Sequence, residues 1–435
     1  MRWISKICLL FAIVGSGPLS VFAQCCNDEG CGSACQCGCN SPENAAPAGP
    51  AGPMKFESHN VTFLSRLALS QMGVTQGNVL GNDCWGWTDS ATGREFAIFG
   101  LTNGTAFVEI TNPTQPIYLG TLPTAHGNAA WRDIKVYNSR AYIVADGSAN
   151  SNHGVQVFNL KQLLTVRNPP ATLTATARFT GIGRAHNIAI NEKTGYAYVI
   201  GSPSLASAGG LIMLDLKKGA MPELAGVFSE DGYVHDTQVV TYSGPDTDYN
   251  GYFPGGTPSQ FKGREIAFCC NEDTLTIVDV TDKTNPVMIS RTGYPQAAYT
   301  HQGWLSEDHL FFYVNDELDE TSIPTTNTRT HIWLVRKLSS PLYLGFSEGT
   351  ERTIDHNLYV KGKYIYQANY TSGLRILGQT NPIRQNLEEV GFFDTYPADN
   401  AVSFNGAWSV YPYFPSGNII VSDRQNGLFV LRFDE

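Results

Sequence analysis

Short apolar runs alternate with polar turns along most of the chain, and the pattern repeats. The first clear unit contains four strand-like runs, at residues 84–87, 95–99, 106–110 and 117–120. The turn before the fourth run contains Pro113 and Pro116, residues that the interior of a strand does not tolerate. A later unit repeats this order, with an apolar run, a Pro-containing turn and another apolar run over residues 274–289. The pattern predicts repeated units of four short strands.

A histidine-led segment marks the start of most units. Five such segments begin at His126, His186, His235, His301 and His356, and they recur 49 to 66 residues apart. Two weaker copies, around Asn82 and Asn405, extend the series to seven. Four-stranded units at this spacing are typical of β-propeller blades. We therefore predict an all-β, seven-bladed β-propeller with blades starting near residues 81, 125, 184, 233, 299, 353 and 404.

The two ends of the repeat region are expected to meet. The seventh unit supplies only three strands before Glu435. The apolar run at residues 60–67 precedes the first unit and provides the missing fourth strand. The N-terminal strand therefore closes the predicted ring, and a closed ring leaves only short sheet edges exposed.

The residues before the propeller have the composition of an export signal and a tether. Residues 1–23 combine a basic start, an apolar core and a small residue at the cleavage point, which is typical of a signal peptide. Six cysteines crowd residues 24–40, and a Pro/Ala/Gly linker spans residues 41–56, ahead of the propeller at 57–435. Cysteines at this density in an exported chain indicate disulfides, with thiolate metal binding as the alternative and the pairing left open.

Composition narrows the class of partner. The chain has 435 residues, of which only 16% are charged, and a net charge of −10. This balance argues against nucleic acid, which requires a basic face. No segment after the signal peptide is apolar enough to cross a bilayer. We expect a soluble secreted or cell-surface protein whose partner is a protein or a cell-surface ligand.

One face of the propeller collects the candidate site residues. Each histidine-led segment begins an innermost strand, so the side chains should gather at one mouth of the central channel. The predicted mouth consists of His126, His186, His235, Asp236, His301, His356 and Asn405. Loops between second and third strands open on the same face, and they carry Asp146, His153, Asn271, Glu272, Asp273, Asn315, Asp316, Glu317, Asp423 and Arg424.

Three interpretations fit this mouth. In the first, each histidine bonds to the backbone of a neighbouring blade and locks the ring. In the second, a divalent metal ion occupies the mouth, because neutral imidazole suits transition metals; the tentative ligands are His126, His186, His235, His301 and His356. The Asn-Asp-Glu runs are a weaker signal for calcium, since they lack the regular spacing of an EF-hand loop. In the third, the face binds a ligand or partner.

The sequence offers little support for catalysis. It contains no Gly-x-Ser-x-Gly elbow, no His-Glu-x-x-His and no phosphate-binding glycine loop, so no catalytic residue is assigned. We predict a non-catalytic binding or scaffold module. The alternatives are a metal-dependent, hydrolase-like enzyme using the histidine ring, and a structural envelope or matrix component.

Several runs resemble a known family. Residues 271–282, 299–305, 315–320 and 355–360 resemble the choice-of-anchor B family, which is built of LVIVD repeats. The resemblance covers roughly residues 57–435 and implies a secreted or surface-displayed β-propeller without an established biochemical activity. Members often carry a C-terminal sorting segment. Because this sequence stops two residues after Phe433, we expect release, or attachment through the Cys-rich segment.

Overall fold

The computed structural model describes residues 54–148, 151–245, 260–323 and 326–435. The predicted signal peptide, the Cys-rich segment and the linker up to residue 53 lie outside these residues. No helix within the described ranges is long and apolar enough to cross a membrane.

Strands dominate the described residues. In the first half of the chain they are β1 (Ser58–His59), β2 (Val61–Leu67), β3 (Gly81–Thr88), β4 (Glu95–Leu101), β5 (Gly104–Glu109), β6 (Ile117–Pro123), β7 (Trp131–Tyr137), β8 (Arg140–Asp146), β9 (Val155–Asn159), β10 (Ala171–Thr172), β11 (Ala177–Phe179), β12 (Asn187–Asn191), β13 (Tyr196–Ile200), β14 (Leu211–Asp215) and β15 (Glu223–Phe228).

The second half continues with β16 (Asp236–Thr241), β17 (Glu265–Cys270), β18 (Leu275–Asp279), β19 (Val287–Thr292), β20 (Thr300–Leu305), β21 (Phe311–Asp316), β22 (Arg329–Leu334), β23 (Leu342–Glu348), β24 (Asn357–Lys361), β25 (Tyr364–Ala368), β26 (Leu374–Asn381), β27 (Asn386–Phe393), β28 (Ala407–Tyr411), β29 (Asn418–Asp423) and β30 (Gly427–Phe433). The helical elements are α1 (Asp319–Ser322) and four 3-10 turns, Leu69–Met72, Leu160–Thr165, Ser204–Ala206 and Pro382–Arg384.

The described strands form seven antiparallel blades that follow one another along the chain. Six blades are meanders, β3–β6, β7–β9 with β11, β12–β15, β16–β19, β20–β23 and β24–β27. β10 adds to the edge of the first of these blades, parallel to β6, and β1 adds to the edge of the sixth. The all-β, seven-bladed architecture predicted from the sequence is confirmed.

The seventh blade joins the two ends of the propeller. Its sheet runs β2–β30–β29–β28, so its outer strand comes from the start of the propeller. β2 and β30 pair antiparallel, with Val61 opposite Phe433 and Leu67 opposite Leu428. The predicted closure by the N-terminal strand is confirmed.

Blade-to-blade packing explains the long apolar runs. The middle strands have neighbours on both faces, so a strand such as β17 is buried at every position rather than at alternate ones. Phe268 of the fourth blade stacks on Phe312 of the fifth, with ring centroids 5.3 Å apart. Cys269 and Cys270 are buried free thiols within the same strand.

Removal of the closing strand tests the ring. A chain beginning at residue 69 lacks β2 and exposes the edge of β30, so we expect its melting temperature to fall by more than about 10 °C, with aggregation through the open edge. Differential scanning calorimetry against the full chain measures this. A chain beginning at residue 54 is the control, because it retains β2 and should melt as the full chain does. Equal melting temperatures for all three chains would contradict closure by β2.

Candidate functional site at the channel mouth

Hydrogen bonds between innermost strands set the register of the channel. The side chains of Asp83, Asp133 and Gln302 accept from backbone N–H groups in the following blade, at Ile134, Ile188 and Leu358 respectively. The residues two positions before these N–H groups therefore occupy equivalent places near the axis. They are Arg132, His186 and His356.

Four imidazoles from consecutive blades form a continuous row. The ring centroids of His186 and His235 are 4.4 Å apart, those of His235 and His301 are 4.2 Å apart, and those of His301 and His356 are 4.4 Å apart. Trp408 of the seventh blade extends the row, 4.8 Å from His356. The structure thus brings together four of the five histidines expected at the mouth.

His126 differs from that expectation. It lies exposed in the loop before β7, and the aromatic neighbour of His186 on that side is Trp131, at 5.9 Å. The strand register places Arg132, not His126, at the histidine position of the second blade. Arg132 is buried and donates from Nε to the carbonyl of Leu101 at 2.9 Å.

Two of the imidazoles are bonded to the backbone of the following blade. Nδ1 of His235 lies 2.9 Å from the carbonyl oxygen of His301, and Nδ1 of His356 lies 2.6 Å from that of Trp408. A carbonyl only accepts, so each Nδ1 must carry the hydrogen. In the neutral form the Nε2 atom of each ring is then a lone-pair acceptor.

Burial keeps these imidazoles uncharged at neutral pH. It lowers the pKa of His356 to about 3, and it holds the pKa values of His235 and His301 well below the usual range, where neighbouring imidazoles add to the effect. Neutral imidazole is the form that binds metal ions.

Glu317 reaches the row from the loop after β21. Its two carboxylate oxygens lie 3.6 Å from Nε2 of His301 and 3.7 Å from Nε2 of His356. Tyr370 donates its hydroxyl hydrogen to the same carboxylate at 2.6 Å. Burial raises the pKa of Glu317 to about 7, against the effect of the Tyr370 bond. His301, Glu317 and His356 each offer one ligand atom, and the three atoms lie within 4.8 Å of one another.

The carboxylate of Asp146 anchors the other end of the row. It accepts from Nη1 of Arg184 at 3.0 Å and faces Nδ1 of His186 at 3.2 Å. Burial opposes its ionisation, but the contacts with His186 and Arg184 outweigh this and lower its pKa. Asp146 is therefore ionised at neutral pH.

The other predicted loop residues serve mainly as local structure. His153 is buried, bonds to Arg132 and has its pKa lowered to about 3 by that burial. Asn271 and Asn315 are buried and donate to backbone carbonyls, whereas Glu272 and Asp273 are exposed. The remaining contacts are Asp316 with the N–H groups of Ala298 and Tyr299, Asp423 with those of Gln425 and Asn426, Asn405 with Gln425, and Arg424 with Phe404.

Asp236 does not point to the mouth with His235. It lines a cavity of about 290 Å³ further along the channel, towards the opposite face. Five aromatic side chains line this cavity; they are Trp85, Trp304, Tyr359, Tyr411 and Tyr413. This cavity therefore lies further along the channel than the histidine row.

A buried lysine lines the same cavity. Lys135 Nζ lies 2.6 Å from Asp133 and 3.6 Å from Asp83, and 4.6 Å from the ring centroid of Trp85. Burial raises the pKa of Asp236 to about 7, and the charge of Asp133 adds to the rise. Asp236 thus shares a crowded acidic environment with a single ammonium group.

The predicted site did not include Tyr370, Trp131, Trp408 or Lys135. Trp408 stands in the seventh copy of the repeat at the place that histidine holds in four others, so alignment of the copies by strand register would have found it. Tyr370 and Lys135 carry no local signal, because their partners come from other blades.

The comparisons with known proteins agree with this architecture. The sequence model of the LVIVD repeat matches residues 267–292. The chain contains an LVIVD repeat. The match covers β18 and β19, where the sequence reads Leu275-Thr276-Ile277-Val278-Asp279. No curated protein matches the chain.

Solved structures are similar in fold alone. The hydrazine synthase of Kuenenia stuttgartiensis is 12% identical with a TM-score of 0.52, over 78% of this chain and 92% of that chain. A protein from Lactobacillus plantarum is 13% identical, with a TM-score of 0.49 over 79% of this chain and 88% of that one. A β-propeller domain from Myceliophteria thermophila is 9% identical, with a TM-score of 0.46 over 78% and 93%.

Replacement of His235 tests the locking role of the row. His235→Ala removes a buried ring and leaves the His301 carbonyl without its donor, so we expect a loss of about 2 to 4 kcal/mol in the free energy of unfolding. His126→Ala is the matched control, because an exposed side chain should change stability by less than about 0.5 kcal/mol. Denaturant titration measures both, and equal effects would refute the locking role.

Asp236 should make stability fall as pH rises. Its unfolded pKa is near 3.8 and its folded pKa is about 7, so between about pH 4 and pH 7 the folded state retains a proton that the unfolded state has lost. The protonated Asp236 side chain therefore contributes its full stabilisation of the folded state below about pH 4, and this stabilisation is lost as the pH rises towards 7.

The Asp236→Asn variant removes this titration. The side chain keeps some contact with solvent in the cavity, so we expect a difference in pH dependence on the order of 2 kcal/mol between wild type and variant. Unfolding free energies from pH 4 to pH 8 give the comparison. Exposed Glu230→Gln should retain the wild-type slope, and an Asp236→Asn slope equal to wild type would disprove the assignment.

Proposed function

We propose that this protein is a non-catalytic binding or scaffold module, acting outside the cell or at its surface, and that the channel mouth is its binding face. One observation carries the proposal. Large aromatic side chains at both ends of the buried histidine row remain open to solvent: Trp131, next to His186, is 44% exposed, and Phe404, next to Tyr370, is 42% exposed. Exposed aromatic groups beside a polar depression are typical of protein interfaces.

The histidine row supports a rigid face rather than an active centre. His235 and His356 bond to carbonyls of the next blade, and the four imidazoles contact one another in chain order. A preformed face of this kind loses little conformational entropy on binding. The loop beside it is also tightly constrained, since Leu205 and Ala206 adopt left-handed backbone conformations with φ of 57° and 56°.

The family resemblance gives the biological setting of the proposal. The LVIVD repeat at residues 267–292 and the seven-bladed fold support membership of the choice-of-anchor B family, and with it export and surface display. The partner would be a protein or a cell-surface ligand. β-propellers commonly mediate such interactions.

A paired set of variants tests the binding face. The full chain is immobilised and exposed to extracellular and surface proteins of its host, and retained proteins are identified by mass spectrometry. We expect Trp131→Ala combined with Phe404→Ala to lower retention of specific partners more than tenfold, since aromatic anchors carry much of an interface's energy.

The control carries the same number of truncations elsewhere. Ile117 and Leu342 are exposed at the starts of β6 and β23, where third strands connect to fourth strands on the opposite face. Ile117→Ala combined with Leu342→Ala should retain the partners. Identical retention by both double variants would place the binding face elsewhere.

A metal centre at His301, Glu317 and His356 is the second candidate. Because Nδ1 of His356 donates to Trp408, the lone pair of its Nε2 faces a Glu317 oxygen at 3.7 Å. Two acceptors facing each other require a proton or a cation between them. Two imidazoles and one carboxylate suit zinc and other transition metals, and the carbonyl bond would orient His356 as a ligand.

Metal analysis separates the two candidates. Chelator-washed protein is reloaded with zinc, dialysed and measured by elemental analysis. The metal candidate predicts one zinc per chain, lost in His301→Ala and in His356→Ala but retained in His309→Ala, whose imidazole lies on the opposite side near Ser243. Hydrolytic activity would be sought only in a loaded protein, where an open coordination position can hold water. No zinc in the wild type would leave the scaffold function alone.

A further inference from the structure

Three carboxylates come together where the fifth and sixth blades meet, on the side of the channel mouth. Asp319 and Glu320 begin α1, in the loop between β21 and β22, and Asp355 lies just before β24. Each residue is only 1% exposed. Each offers one oxygen, and the three oxygens lie within 4.8 Å of one another.

These carboxylates lack the partners that buried charges normally have. Both oxygens of Asp319, Oε2 of Glu320 and Oδ1 of Asp355 are buried without a hydrogen bond. The second oxygen of Asp355 accepts from the N–H of Arg329 at 2.8 Å, which fixes the orientation of that carboxylate. A buried carboxylate without a partner is strongly unfavourable, so the arrangement calls for a ligand.

A neighbouring imidazole gives an independent sign of the same kind. His331 is 3% exposed, and its Nδ1 lies 2.9 Å from the hydroxyl of Tyr343. Its Nε2 has no hydrogen bond partner and lies 3.7 Å from Oδ2 of Asp319. A second kind of buried polar atom without a hydrogen bond therefore lies next to the carboxylates.

The charges point to a divalent ion. Arg329 is the nearest permanent cation, with Nη1 3.9 Å from Asp319, and its guanidinium is held 4.3 Å from the ring centroid of Phe346. Burial raises the pKa of Glu320 and of Asp355, so a cation among the three carboxyl groups would be needed for all of them to ionise. Ionised together beside one guanidinium, they leave two uncompensated negative charges. One divalent cation balances them.

We propose that Asp319, Glu320 and Asp355 form a calcium site. Calcium takes six to eight oxygen ligands in flexible geometry, and carboxylates bind it through one or both oxygens. Magnesium demands near-octahedral geometry and retains several waters, which a site enclosed by buried side chains accommodates poorly. The site is separate from the histidine row and does not depend on the proposed function.

The position of the site gives it a structural consequence. Glu317 and two of the calcium ligands, Asp319 and Glu320, lie within four residues of one another at the start of the loop after β21, and the base of that loop is fixed by Asp316 through Ala298 and Tyr299. Calcium would draw α1 towards the sixth blade. The ion therefore holds Glu317 against His301 and His356.

Calcium-dependent melting tests the site in the full chain. The protein is stripped with chelator and melted with chelator, with excess CaCl₂ and with excess MgCl₂, and calcium binding is followed by calorimetric titration. We expect calcium to raise the melting temperature by several degrees, because it binds only the folded state. Magnesium should raise it by less than half as much.

Two neutralising variants identify the ligands. Asp355→Asn and Glu320→Gln should each lose most of the calcium shift, while melting no lower than wild type in chelator, because each relieves repulsion among crowded carboxylates. Glu230→Gln, on an exposed residue, should retain the full shift. His301→Ala should also retain it, which distinguishes this site from a metal at the mouth.

The wild-type measurement alone can overturn the proposal. Equal melting temperatures in chelator and calcium, with no heat of calcium binding, would exclude the site. A calcium shift that persists in both neutralising variants would place the ion elsewhere, and a magnesium shift equal to that of calcium would refute the calcium assignment. If one variant fails to fold, the other decides the ligands.

Discussion

The propeller depends on hydrogen bonds that cross from one innermost strand to the next. Asp83, Asp133 and Gln302 each use a side-chain oxygen to hold a backbone N–H of the following blade. His235 and His356 instead donate to its carbonyls. These bonds are shielded from water, so the loss of one partner would leave a buried polar group unpaired and would cost folding free energy. The channel is therefore lined by polar side chains for a structural reason, before any ligand is considered.

The need for hydrogen bonds between blades distinguishes polar groups that are used in the structure from polar groups that remain available to bind a ligand. An imidazole that donates Nδ1 to a neighbouring blade has its orientation and tautomer fixed, and only its Nε2 remains available. At His356 that atom faces Glu317. The carboxylates of Asp319, Glu320 and Asp355 are equally buried. Asp355 and Glu320 each accept from one backbone N–H across the two blades, but four oxygens of the three groups have no hydrogen bond. The candidate ligand sites are therefore distinguished by buried polar atoms without hydrogen bonds, and not by the number of histidines.

The fold could be predicted well from the sequence because it consists of repeated four-stranded units. Blade number, strand order and closure by residues 60–67 follow from periodic apolar runs and Pro-containing turns, which are local signals. His126 was placed in the row wrongly because its His-Gly-Asn segment resembles the other copies of the repeat. Strand register decides which side chain reaches the axis, and in the second blade that side chain is Arg132. The run that contains Asp319 and Glu320 was interpreted as a weak signal for calcium, but its meeting with Asp355 was not predicted, since Asp319 and Asp355 are 36 residues apart and meet only after the blades pack.

The loop after β21 connects the two groups of unsatisfied atoms. Asp316 fixes its base, Glu317 reaches the histidine row, and α1 carries Asp319 and Glu320 to Asp355. An ion bound by the last three and a ligand that uses Glu317 would favour the same loop conformation. By linkage each would then raise the affinity of the other by the same factor. The three side chains on this loop come from four consecutive residues, 317–320, and a segment this short with its base anchored has few alternative conformations in which one group is held and the other is free.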